Sequence, residues 1–170
     1  MNNTGIQYTG KVTVKVKNKP VSVRRNTGTS VLFNRLANIL AGKYVEATET
    51  RKYIPRYMML INTEYSNIVS TNYNHYATSK LLLSEMPILT PKIDNDKCIF
   101  SCYLTTSNIN KTMMNNAGSK TTLLLIDGIK ESILAYVEFD RDDISSVINA
   151  QQNDGQATIT WDLSFSNSTN

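Results

Sequence analysis

The residue types with the most scope for chemistry in this 170-residue chain are carboxylates. Glu138, Asp140, Asp142 and Asp143 crowd one stretch, and Asp94-Asn95-Asp96 forms a second, smaller group. Oxygen-rich clusters on loops can hold Ca²⁺, and paired carboxylates can serve glycoside hydrolysis. Asp140-Arg141-Asp142-Asp143, however, lacks the glycine and the distal bidentate acid of a calcium loop. Asp142 and Asp143 also stand where the N-cap and first turn of a helix favour acids. Capping is the favoured reading, and no metal or cofactor is expected. Two of these carboxylates could also receive a lysine from the basic hairpin of a neighbouring copy.

Other nucleophile and ligand types are sparse. The single histidine, His75, is flanked by Asn72, Tyr73, Asn74 and Tyr76, a polar setting that reads as a surface loop. There is no phosphate-cradling glycine loop, dinucleotide fingerprint, metal-binding helix or nucleophile elbow. Cys98 and Cys102 lie four apart in a strand-like run, so they share a face at a separation of roughly 13 Å, beyond disulfide reach. They read as small buried or half-buried side chains. Enzymatic activity is not expected.

Charge is distributed unevenly. The first 56 residues hold eleven Lys or Arg against Glu46 and Glu49, a balance of +9, and the remainder holds seven basic against twelve acidic groups, a balance of −5. A basic front and an acidic back can pair head to tail between copies, or turn one end to a polyanion. Single-strand binders add stacking aromatics to their basic face. Here the lysines of the front alternate with valines, and only Tyr8 lies near. Tyr65, Tyr73 and Tyr76, in a long polar excursion, suggest instead a surface for sugar rings.

Lys11-Val12-Thr13-Val14-Lys15-Val16-Lys17 alternates strictly, the pattern of a half-buried strand with valines on one face. Asn18-Lys19-Pro20 signals a turn and Val21-Ser22-Val23-Arg24 resumes the alternation, which predicts a hairpin over 8–25. Thr29 or Ser30 can cap a helix over 29–41, with Leu32, Leu36, Ile39 and Leu40 on one face, joined by Phe33, and Gly42 at its stop. Strands are expected at 57–61, 97–105, 121–126, 133–139 and 157–165, with Asp127-Gly128 part of a tight connection, 80–90 one extended segment with a kink, and a short helix starting at Asp142 or Asp143. Asn, Thr and Ser make up close to a third of the chain, which suits strands and turns better than helix interiors. The length allows one domain, 1–170. The expected fold is mainly β: an antiparallel β-sandwich with an N-terminal hairpin and one principal α-helix. No segment has the length of a membrane span, and the N-terminus lacks a signal-peptide layout, so the chain is expected to fold in the cytoplasm where it is made.

The opening, Tyr8-Thr9-Gly10-Lys11-Val12-Thr13-Val14-Lys15-Val16 with Asn26-Thr27-Gly28-Thr29, Leu32-Phe33, Leu36-Ala37 and Leu40-Ala41-Gly42, resembles small structural proteins of tailed bacteriophages, the crAss-like group above all. The closing stretches Ile133 to Phe139 and Ile159 to Asn167 share that resemblance; 43–132 does not. The resemblance implies a virion protein, a ring or collar subunit of the neck or tail, that assembles with copies of itself and with portal, collar or tail subunits close to packaged DNA. Lys11, Val12, Val14, Lys15, Val16, Lys17 and Arg24 of the hairpin, with Trp161 and Phe165 of the last strand, are the expected interface. A receptor- or glycan-binding module of a fibre or baseplate is the alternative, and a nucleic-acid-binding protein a third.

Overall fold

A computed structural model describes residues 6–17, 19–43, 48, 52–62, 72, 85–104, 119–152 and 157–167. Among the described residues the protein is mainly β, with two antiparallel sheets and two helices. Sheet A has the order β2-β1-β10-β7-β6: β2 Lys19–Arg25, β1 Ile6–Val16, β10 Ala157–Asn167, β7 Lys97–Leu104 and β6 Lys92–Asp94. Sheet B has the order β3-β9-β8-β4-β5: β3 Thr27–Gly28, β9 Ile133–Asp140, β8 Lys120–Asp127, β4 Pro55–Ile61 and β5 Met86–Pro87. Of the short strands, β5 lies within the extended segment expected at 80–90, while β3 and β6 have no counterpart in the sequence pattern; the longer ones match their alternation or apolar runs.

The sheets pack face to face, as period-2 alternation on both requires. Val12 and Val14, Phe100 and Cys102, and Ile159, Trp161 and Leu163 come from sheet A. They meet Met58 and Leu60, Leu123 and Leu125, and Ala135, Val137 and Phe139 of sheet B. A second apolar layer lies on the opposite face of sheet B, where Met59, Ile61, Leu124, Ile126 and Ile133 are buried with Tyr57 and Tyr136 against them. Burial on both faces explains why β4 and β8 read as unbroken apolar runs.

Helix α1, Ser30–Leu40, starts at Thr29, whose hydroxyl accepts from Leu32 N–H. The same hydroxyl donates toward the carbonyls of Ile133 and Leu134, and Thr29 N–H donates to Leu134 at 2.9 Å, which ties the helix start to β9. The helix stops as Gly42 requires: φ is +68°, Gly42 N–H bonds Ile39, and Lys43 N–H bonds Asn38. Leu32 is buried and Leu36 and Ile39 are half-buried, but Phe33, expected on the same apolar face, is exposed. It lies one residue, about 100°, round the helix from Leu32. Helix α2, Arg141–Gln152, begins one residue before the expected start and lays Ile144 and Val147 over the end of the core.

The hairpin is built into the sheet for its whole length. β1 runs between β2 and β10, and its register with β10 is unbroken from Ile6↔Asn167 to Val16↔Ala157. It does not project toward a neighbour: eleven residues of backbone pairing and a buried valine row hold it in place.

Candidate interaction surface

A register shift between Val14 and Lys15 decides which side chains face outward. With period 2, one extra residue turns the rest of a strand over. Val23 therefore pairs with Thr13 on the outer face, while Ser22 and Arg24 pair with Val14 and Val12 on the inner side. Val23 thus does not share a face with Val12 and Val14 of β1.

The inward turn of Ser22 and Arg24 brings them to the acidic cluster at the start of α2. Arg24 Nη2 is 2.7 Å from Asp143 Oδ2 and 3.3 Å from Asp140 Oδ2, and Ser22 Oγ donates to Asp143 at 3.1 Å. Lys120 Nζ lies 2.6 Å from Asp140 Oδ1 and 3.4 Å from Glu138 Oε1. The hydrogen bond from Lys120 holds the Asp140 carboxyl below its ordinary range, and Asp140 in turn raises the Lys120 ammonium. Asp142 and Asp143 occupy the first turn of α2, as capping predicts. Asp143 does more: it clamps the edge strand β2 to the helix. Among the described residues no group of three His, Cys, Asp or Glu side chains converges as a cation site.

The outer face of sheet A is different in kind. Its side chains form rows across the strands. Lys15, Thr158 and Tyr103 share one row, Thr13, Thr160 and Ser101 the next, and Lys11, Asp162, Ile99 and Lys92 the third. A fourth row, Thr9, Ser164 and Lys97, closes the face. The rows line a concavity of about 730 Å³, continued past Lys11 and Arg25 by another of about 860 Å³. Val23, Leu89 and Tyr103 are each more than 40% exposed on it, although they are large and partly apolar. Among the described residues, Lys11, Lys15 and Lys92 make no ion pair.

The expected interface residues thus divide. Lys11 and Lys15 stand on the outer face and Lys17 at the exposed hairpin turn, with φ +49°. Arg24 is engaged with Asp140 and Asp143. Val12, Val14 and Trp161 are wholly buried and Val16 packs half-buried against them, so the core between the two sheets takes the apolar half of the set. Phe165 pairs with Tyr8 through the backbone of β10, and its side chain lies outside the described residues. The segment carrying Tyr65, Tyr73, His75 and Tyr76 lies outside them too.

Two features escaped the sequence. Asp127, read there only as part of a tight turn, is fully buried; its Oδ1 accepts from Glu131 and Ser132 N–H, and its Oδ2 lies 3.7 Å from Arg35 of α1. Arg35 stacks on Tyr53 at 4.0 Å, so this carboxylate ties helix to hairpin. The other is Tyr103, placed on the lysine face by the β1-β10-β7 order, which local patterning cannot supply. Cys98 is half-buried and Cys102 buried, as expected, and burial pushes the Cys102 thiol up to about 12.

Comparison with protein-family models finds no match, and comparison with curated proteins and with solved structures finds none either.

Proposed function

We propose that this protein is a non-enzymatic subunit of a larger assembly, and specifically a structural protein of a tailed bacteriophage particle that forms a ring or collar in the neck or tail. The observation that carries the reading lies at the two edges of sheet A. β2 and β6 end the sheet on opposite sides, and each carries an exposed apolar side chain: Val23 at 45% and Ile93 at 83%. An edge strand leaves a row of backbone donors and acceptors open to a second chain, and an uncovered apolar side chain adds apolar area to such a contact. Two different edges on opposite sides of one sheet suit a heterologous, head-to-tail contact, the kind that closes into rings. The sequence resemblance to small phage structural proteins supplies the particle.

Cysteines introduced by Val23→Cys and Ile93→Cys in one chain test this. The two edges lie four strand spacings apart, roughly 19 Å, so a bond within one chain is out of reach. Oxidation is expected to give a ladder of covalent oligomers. Monomer alone, at every concentration, contradicts edge-to-edge assembly. Mass spectrometry of purified particles, with the protein at many copies, checks the virion part.

A further inference from the structure

We propose that the outer face of sheet A binds single-stranded nucleic acid. The inference does not rest on the ring reading: Val23 at the β2 edge also lines this face, but the lysines, hydroxyls and tyrosine that carry the inference lie on the strands inside that edge. Lys11, Lys15, Arg25, Lys92 and Lys97 point from this face or its margin, against Asp162 and Asp94. Proteins that hold single strands combine such a basic groove with an aromatic ring on which bases stack. Read in sequence, the basic front has no such ring. The fold supplies one: Tyr103 stands in the same row as Lys15, two strand spacings or roughly 10 Å away, and is 45% exposed. Thr158 stands between them, and Thr160 and Ser101 lie in the adjacent row; their hydroxyls are groups that hydrogen-bond phosphate and sugar oxygens.

The acidic cluster at the start of α2 is not free to meet these lysines in a second copy, because Asp140, Asp143 and Glu138 are already engaged by Arg24 and Lys120 of their own chain. The open tyrosine beside a lysine favours a polyanion with planar bases.

Fluorescence anisotropy of a labelled oligothymidylate of about twenty nucleotides, with the full chain over a range of salt, tests the proposal. The expected result is binding that weakens steeply with salt. Lys11→Glu with Lys15→Glu weakens it at least tenfold and flattens the salt dependence by about two charges. Tyr103→Ala weakens it by roughly five- to a hundredfold with the salt slope unchanged, and Tyr103→Phe restores it. All these positions are exposed or half-buried, and matching thermal melts establish that the variants fold. Absence of binding at low salt overturns the proposal, as does binding that none of the variants changes. Displacement by polyglutamate as readily as by unlabelled oligothymidylate also overturns it, in favour of an acidic protein partner.

Discussion

The two charged regions of this molecule behave in opposite ways. At the start of α2, carboxylates meet Arg24 and Lys120 at 2.6–3.4 Å, and the charges close on each other within one chain. On the outer face of sheet A, Lys11, Lys15 and Lys92 stand over hydroxyls and a tyrosine, with Asp162 the one acid in their rows. A basic front and an acidic back in the sequence suggest complementary ends for two copies. The fold uses part of that complementarity internally, through a hairpin register that turns Arg24 inward. What is left for a partner is the lysine face.

The sharpest way to separate these regions is to cut the core behind the lysines. Trp161 lies on β10 beside the outward Thr160 and Asp162, and is wholly buried. Trp161→Ala is expected to destabilise by about 3–5 kcal/mol, read from the denaturant midpoint. Gly10→Ala is expected to cost about 1–3 kcal/mol, because an added Cβ would sit 1.4 Å from Asn26 Oδ1 and force that side chain off the strand. A change within 0.5 kcal/mol would show that Asn26 swings away freely.

The closed region comes next. Asp143→Ala removes the acceptor of Ser22 and the nearer of the two carboxylates on Arg24, and is expected to cost about 1 kcal/mol, with β2 amides exchanging faster while those of β10 do not. The pH dependence has a definite direction. The folded-state pKa of Asp140 is lowered, so its contribution is complete above its unfolded value of about 4 and is lost as pH falls through the lower folded value. Thermal melts of Asp140→Asn should therefore differ from wild type at neutral pH and converge with it in acid. Lys120 works in the opposite sense. Its contribution is present below an unfolded pKa of about 10.4 and fades as pH rises through the raised folded value.

The smallest effect belongs to the open region. Lys11→Gln and Lys15→Gln together are expected to move stability by no more than about 0.5 kcal/mol, since neither lysine has an ionic partner among the described residues. A larger loss would mean that the face is closed after all and would remove the contrast between the two regions.

Much of the fold was legible because period-2 alternation and helix punctuation are local signals. Lys11 to Lys17, Ile159 to Leu163, Thr29 and Gly42 each settle where they should. What stayed hidden depends on pairing between distant strands. The register shift that turns Val23 outward and Arg24 inward has no mark in Val21-Ser22-Val23-Arg24. Asp127 looks like a turn residue until α1 brings Arg35 to it. Tyr103 looks like an ordinary strand aromatic until β10 sets it across from Lys15. Val12, Val14 and Trp161 show the converse: an apolar row identifies a buried face without saying whether the cover comes from the same chain or another.

The most direct test of assembly through the edges of sheet A is the mass in solution, by light scattering, of the wild-type chain and of Ile93→Asp over a range of concentration. The expected result is a discrete oligomer for the wild type and a monomer for Ile93→Asp with an unchanged melting temperature, because a side chain 83% exposed adds little to the fold of its own subunit. Equal masses for the two chains at every concentration would contradict the assembly proposed here.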